Sequence, residues 1–275
     1  MPVLRSTVLI DAEPRTVAGL LRDVATCTAA FERAGHRCEA DSRLLSPGDE
    51  LRVRVAVLPG LRIAVSLVVR SISDAGMVAV SAGGHTRAAL TTTLTATGAG
   101  TLLMDELRWV SPLGPPGDVV LVRRLVLRLL AARSAVLVEQ AAALAARPVV
   151  VATALVRDGR VLAAQRTRPP ELAGRWELPG GRVESGESEP DAVVRECTEE
   201  LGTTVRVIGR LGTDLPIDAG VLRVHVAEPA PGAPEPQALE HSALRWVAPA
   251  ELAHVEWVAA DRAVLPELGA LLRQP

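Results

Sequence analysis

Three glutamates, Glu196, Glu199 and Glu200, fall at positions i, i+3 and i+4 of the run Arg195-Glu196-Cys197-Thr198-Glu199-Glu200-Leu201-Gly202. On a helix this spacing projects three carboxylates from one face. Like charges so close weaken a helix unless a proton or a cation neutralises them. A hard divalent ion resolves the conflict. All-oxygen ligands favour Mg2+, with Mn2+ as the close substitute, and magnesium is commonly held by a few carboxylates together with waters and substrate phosphates. The chemistry indicated is work on a pyrophosphate. A bare E-x-x-E-E run is more often a solvated acidic face; here it is accompanied by Gly181, Glu187, Arg195 and Gly202 and preceded by Leu178-Pro179-Gly180.

These residues need a helix to carry them and strands to hold that helix. Residues 188–201 suit the helix, with Ser188 or Glu189 near its start, Pro190 in the first turn and Gly202 at its C-terminal stop. Val193, Cys197 and Leu201 lie on a different face from the carboxylates and are expected to pack inward. Upstream the pattern reads as a strand over 149–156, an Asp158-Gly159 turn, a strand over 160–165 and a loop; another strand follows Gly202. Pro148 must end any preceding helix, which places a boundary there.

The order glycine, five residues, Glu, seven residues, then R-E-U-x-E-E-x-G-U, with U bulky and apolar, is the Nudix box. It is met by Gly181, Glu187, Arg195, Glu196, Cys197, Glu199, Glu200, Gly202 and Thr203; only the two U positions, Cys197 and Thr203, depart from it. Residues 149–270 therefore resemble the Nudix hydrolases. The resemblance implies metal ligation by Glu196, Glu199, Glu200 and the Gly180 carbonyl, a structural pairing of Arg195 with Glu187, and in-line attack of water on phosphorus. Glu199, Glu200 and Arg195 are the implied catalytic group, with Glu240 standing where MutT-like members carry a further acidic ligand or base; the plain alternative for Glu240 is a solvated loop carboxylate.

Residues 165–181 resemble the MutT-type small triphosphatases, which makes Arg166 a substrate-facing arginine; Arg182, after the double glycine, is a second candidate for phosphate. The run Val255-Glu256-Trp257-Val258-Ala259-Ala260-Asp261-Arg262 matches the segment in which such enzymes read the base. The oxidised-guanine enzymes carry Asn at the position of Asp261, whereas CTP-directed relatives carry an acidic residue. A carboxylate accepts from cytosine N4 and repels guanine O6. The resemblance thus implies hydrolysis of a nucleoside triphosphate, CTP, dCTP or a modified form favoured, to monophosphate and pyrophosphate. Open alternatives are an 8-oxo-dGTP-type sanitising hydrolase, a nucleotide-sensing regulatory protein without turnover and, for Asp261 itself, an N-cap to a helix over 262–272.

Before Pro148 the pattern is a short strand, a helical stretch, β-rich runs over 37–45, 51–58, 61–72, 77–82, 88–96 and 101–110, and an amphipathic helix over 118–146. Runs joined by tight turns predict an antiparallel sheet, with Leu121, Leu125, Leu129 and Ala132 at helical spacing to cover it. The order resembles the START-like (SRPBCC, polyketide cyclase-like) helix-grip fold, echoed in Ile10-Asp11-Ala12-Glu13-Pro14 and Gly48-Asp49. That resemblance implies an apolar cavity and a small apolar ligand. His36, His85 and Asp105 read as structural groups.

The expected architecture is therefore α+β: a helix-grip antiparallel sheet with a long C-terminal helix in residues 1–147, then a Nudix α/β/α sandwich with a mixed sheet in 148–275. A length of 275 residues suits two cores. Thirty basic residues, all arginine, against 32 acidic ones give a net charge of −2, and no basic stripe or stacking platform suggests a nucleic-acid partner. Three unpaired cysteines and the absence of a leader-like or membrane-spanning stretch predict a soluble cytoplasmic protein.

Overall fold

The computed structural model describes residues 2–58, 60–82, 87–110, 117 and 121–274. It divides into two compact units, Met1–Ala146 and Arg147–Pro275. The fold is mixed α+β. Among the described residues no helix is long and apolar enough to cross a membrane.

The first unit runs β1 (Val3–Ile10), α1 (Pro14–Arg22), α2 (Val24–Arg33), β2 (Arg37–Glu39), β3 (Glu50–Leu58), β4 (Leu61–Ser73), β5 (Gly76–Ser81), β6 (Arg87–Thr97), β7 (Gly100–Val110) and α3 (Arg123–Ala145). Its seven strands form one sheet in the order β1-β7-β6-β5-β4-β3-β2, antiparallel at each pairing. The β-rich run expected over 37–45 is a sheet strand only as far as Glu39; beyond it Leu44 forms an isolated antiparallel bridge with Asp23. Alternation sets the inner face: Leu103, Asp105, Leu107 and Trp109 of β7 are buried, while Leu102, Met104 and Arg108 are exposed. Register shifts at Ala56/Leu58 and Val69/Ser71 interrupt the ladder and bend the strands there.

Helix α3 packs against α1, α2 and β1. Asp105 is a satisfied structural group, as its isolation in the sequence suggests. Buried Arg133 on α3 donates from Nε to its Oδ2 at 2.9 Å, and Thr92 donates to its Oδ1 at 2.5 Å, so helix and sheet are joined by a paired charge. His85 and residues 118–120 of the expected helix lie outside the described residues.

The second unit runs β8 (Val149–Arg157), β9 (Arg160–Gln165), β10 (Trp176–Glu177), α4 (Glu189–Leu201), β11 (Val205–Ile217), β12 (Gly220–Pro229), β13 (Ala243–Val247), a 3-10 turn (Leu252–His254), α5 (Ala259–Arg262) and α6 (Leu265–Leu271). Its sheet has the order β10-β9-β8-β12-β11, with β13 on β9. It is mixed, because β12 and β8 run parallel whereas β9 reverses after the Asp158-Gly159 turn. Both turn residues have positive φ, 51° and 67°, as a two-residue hairpin of this twist requires.

Helix α4 follows the sequence rules at both ends. The Ser188 side chain caps it by accepting from the Asp191 N–H, proline sits in the first turn, and Gly202 closes it at φ 62°, ψ 22°, a left-handed position that glycine occupies without penalty. Its apolar stripe of Ala192, Val193, Cys197 and Leu201 is fully buried against Val151, Leu155, Leu162 and Ala227. Glu189 further ties its first turn to β12 through Arg223 and through His225 Nε2 at 2.9 Å.

Candidate active site

The segment Leu178–Gly181 lies along β8. The Thr153 N–H donates to the Pro179 carbonyl at 2.7 Å and the Val151 N–H to the Gly181 carbonyl at 2.8 Å. The two backbones approach so closely at Gly180 that a Cβ there would sit 2.1 Å from the Val151 carbonyl oxygen. Only glycine fits. Its N–H turns the other way, donating to Glu200 Oε2 at 3.0 Å. Gly181 is confined by a side chain, since a Cβ would meet Glu196 Oε1 at 2.1 Å. The double glycine is thus the floor on which the carboxylates of α4 rest.

Burying one face of α4 turns the other toward this floor. Glu196 and Glu200 are partly buried, and Glu199 is exposed. Burial, with the charge of Glu199 and Glu187 added, raises the Glu196 carboxyl above its ordinary range even though Arg195 pulls it down. Burial pushes Glu200 up to about 7; the charges of Glu196 and Glu177 add to this, while nearby His241 and the Gly180 N–H oppose it. In both, burial is the main cause and neighbouring carboxylates add to it.

Arg195 is the cation within the cluster. Its Nε donates to Glu187 Oε1 at 2.9 Å and Nη2 to Glu187 Oε2 at 3.1 Å, while Nη1 reaches Glu196 at 2.9 Å and Glu199 at 3.1 Å. Nη2 also holds the Arg182 carbonyl at 2.9 Å. One guanidinium therefore locks the 182–187 loop to the helix, and the hydrogen bonds it donates to Glu187 raise its own pKa further. Three carboxylates face this single positive charge, and Glu200 stands outside its reach. Oxygen donors in excess of cations, with no thiolate or imidazole on the helix face, suit a hard divalent ion. Among the described residues no group of three acidic, histidine or cysteine side chains forms a ready cage; Glu199 is held by Arg195 and Glu200 by the Gly180 N–H.

Four further residues gather beside the Leu178 end. Arg166 pairs with Glu177, and His241 Nε2 lies 3.3 Å from Glu177 Oε1. Burial disfavours charge on His241, but its hydrogen bond with Glu177 and the charge of Glu200 outweigh that and raise its pKa. Asp261 is fully buried, accepts the Leu178 N–H at 2.8 Å and is pushed up to about 7, burial being the main cause.

Sequence reasoning singled out Arg166 and Asp261 here but missed Glu177 and His241. The nearest signal was position: each adjoins a residue that was chosen, Glu177 beside Leu178 and His241 beside Glu240. Asp261 is not the helix cap that the bland alternative supposes. It lies inside α5, whose N-cap is Val258, and its carboxylate is engaged with the Leu178 N–H. Glu240 stands outside the cluster: it is half-exposed and faces Arg168 at 3.3 Å, and its carbonyl accepts from Thr167. Arg182 is exposed, contributing its carbonyl to Arg195 and a β-bridge to Val150.

Comparison with known proteins agrees with this geometry. Residues 146–268 match the family model described as NUDIX domain. A Mycobacterium tuberculosis protein named "Putative 8-oxo-dGTP diphosphatase 2" is 48% identical over 128 residues, 45% of this chain and 89% of the relative. The Escherichia coli "CTP pyrophosphohydrolase" is 36% identical over 123 residues, 44% of this chain and 91% of the relative. A solution structure of the E. coli ORF135 protein is 35% identical, covering 46% of this chain and 91% of that one, with a TM-score of 0.41. With its glycine floor, its carboxylate helix and relatives matched over most of their length, this chain belongs to the NUDIX family and is a Nudix hydrolase.

Proposed function

We propose that the protein hydrolyses a nucleoside triphosphate to the monophosphate and pyrophosphate, using Mg2+ or Mn2+ held by Glu196, Glu199, Glu200 and the Gly180 carbonyl. The observation that carries this reading is the geometry of the Glu196/Glu200 pair, two partly buried carboxylates set against the double-glycine floor, Glu200 on the Gly180 N–H and Glu196 over Gly181. A divalent cation supplies positive charge there, screens the phosphates and makes water more acidic. Arg195 holds Glu196 and Glu199 in place. Glu200, set on the Gly180 N–H at the floor, is positioned to take a proton from the attacking water; Glu240 would have to leave Arg168 to do so. Arg166 offers planar donors to phosphate or base, and exposed Arg182 is a second phosphate ligand.

For the base we favour cytosine. Asp261 and Glu177 bring carboxylates and no amide to the Leu178 end, which we take as the side that reads the base, and a carboxylate accepts from an exocyclic amine. An oxidised purine nucleotide is the second reading, favoured by one feature of the same site: with its pKa near 7, a protonated Asp261 donates to a carbonyl oxygen instead. A panel of CTP, dCTP, 5-methyl-dCTP, dGTP and 8-oxo-dGTP with Mg2+ tests both, with Glu200→Gln as control. Turnover of cytosine nucleotides that loses its preference in Asp261→Asn supports the first reading, and preferential turnover of 8-oxo-dGTP the second. Absence of turnover for every nucleotide by folded protein overturns both and leaves a nucleotide-sensing role.

We further infer that residues 1–147 form a START-like helix-grip domain and 148–275 the hydrolase. The support is the order of strand, helix pair, antiparallel sheet and long helix in the first unit.

A further inference from the structure

Helix α4 carries a fourth carboxylate on the line that the site uses. Glu189 opens the helix, two turns before Glu196 and three before Glu200. At about 100° per residue the three side chains fall within about 20° of one line along the helix. The two ends of that line are held differently. At the C-terminal end Glu200 accepts the Gly180 N–H at 3.0 Å and Glu196 lies over Gly181. At the N-terminal end Glu189 is gripped by β12, where Arg223 Nη1 donates to its Oε1 and His225 Nε2 to its Oε2 at 2.9 Å. Burial opposes charge on Glu189, but the hydrogen bonds from Arg223 and His225 outweigh it and hold the carboxyl below its ordinary range. Burial also keeps the His225 ring neutral.

Arg223 is fixed in turn from β11. The register of β11 against β12 shifts between Leu211 and Leu215, and bulges of this kind re-aim side chains. Asp214 lies in the bulge, fully buried, its Oδ2 accepting from Arg223 Nε at 3.2 Å and its Oδ1 from Arg210. Charge-assisted bonds therefore run from Asp214 through Arg223 to Glu189, from the sheet into the first turn of α4. The other anchors of the helix act differently: its apolar stripe sets how closely it lies on the sheet, and Arg195 ties it to the 182–187 loop. A directional bond at the start of the carboxylate line sets where the helix stands along its axis. One residue of slide is about 1.5 Å. It would carry Glu196 and Glu200 off both glycines, and a misplacement of about 1 Å can cost on the order of a hundredfold in rate.

We propose that Glu189, gripped by Arg223 and His225, is a positioning residue that fixes α4 along its axis and so places Glu196 and Glu200 over the double-glycine floor. The consequence for catalysis rests on the reading of those two carboxylates as metal ligands; the consequence for geometry does not.

Three measurements on the full-length protein test this. The Gly180 amide resonance in 15N spectra of metal-free protein reports the bond to Glu200, Mn2+ titration followed by electron paramagnetic resonance reports the carboxylates, and steady-state kinetics report the reaction. Glu189→Ala removes the grip and leaves the Ser188 cap and the apolar stripe in place. It should shift the Gly180 resonance, weaken Mn2+ binding about tenfold, and lower kcat about tenfold with KM within about twofold. Glu189→Gln keeps the length and an acceptor for Arg223 and should recover most of each loss. Arg223→Met should reproduce the Glu189→Ala effects, and the double variant should add little, since the two side chains act as one unit; if Glu189→Ala does not fold, Arg223→Met carries the same readouts. A wild-type Gly180 resonance and wild-type Mn2+ affinity in the folded variants, with only the melting temperature lowered, overturn the proposal. Absence of turnover by the wild type would sink the hydrolase reading alone, because the Gly180 resonance still decides where α4 stands.

Discussion

Asp261 accepts a hydrogen bond from the Leu178 N–H at 2.8 Å across 83 residues of sequence, joining the C-terminal helices to the double-glycine floor. Burial raises its carboxyl from 3.8 to about 7, so the folded protein holds this proton more tightly than the unfolded chain does. Stability contributed by the group is therefore complete below its unfolded pKa and is lost as pH rises through about 7. Asp261→Asn cannot titrate. In metal-free buffer its melting temperature, relative to wild type, is expected to improve from pH 5 to about pH 7 and then level off; a constant offset would remove Asp261 as the source.

The two glycines of the floor are expected to fail differently. Gly180→Ala drives a Cβ into the Val151 backbone, which cannot yield, at a cost on the order of 3 kcal/mol. Gly181→Ala meets only the end of the Glu196 side chain. It should melt close to wild type yet lose on the order of a hundredfold in kcat through displacement of that carboxylate. Calorimetry and steady-state kinetics on the two proteins decide this.

Glu196→Gln, Glu199→Gln and Glu200→Gln should each fold and each lower kcat by about a hundredfold or more. Chelation of divalent ions should abolish wild-type turnover without unfolding, because Arg195 already neutralises part of the cluster. Circular dichroism with and without EDTA separates loss of activity from loss of structure.

Arg195→Lys keeps the charge but gives up the fork that grips Glu187 while reaching Glu196 and Glu199. The expected result is a lower melting temperature and a drop in kcat on the order of a hundredfold, with little change in KM. A variant indistinguishable from wild type would reduce Arg195 to a simple counter-charge.

If Glu200 is the base, Glu240→Gln should leave kcat within about threefold, while His241→Asn, which removes a neighbour that lowers the Glu200 pKa, should move the acidic limb of the pH–rate profile upward. A collapse of kcat in Glu240→Gln would instead make Glu240 the base.

The helix of the carboxylates was legible to the residue, because its stop signals are local: a serine cap, a proline in the first turn, a glycine that must turn left-handed. The strands of the first unit were nearly as clear, since alternation on one buried face repeats over many residues. The polar rim was not. Glu177 belongs to a strand of two residues, too short for any period, and His241 differs from Glu240 only in which way the loop turns it. Asp261 was found by its place in a segment, but its burial and its bond to Leu178 come from tertiary packing that no local pattern encodes.

Cys197 follows Glu196 on the helix and faces the core, fully buried, with its thiol pushed up to about 12 by burial. At neutral pH almost none of it is thiolate, the form that reacts with peroxides and electrophiles. Cys27 and Cys38 are buried as well. The thiols of the molecule therefore stay out of reach of oxidants, and a cell under oxidative stress would find this catalyst chemically inert at its cysteines.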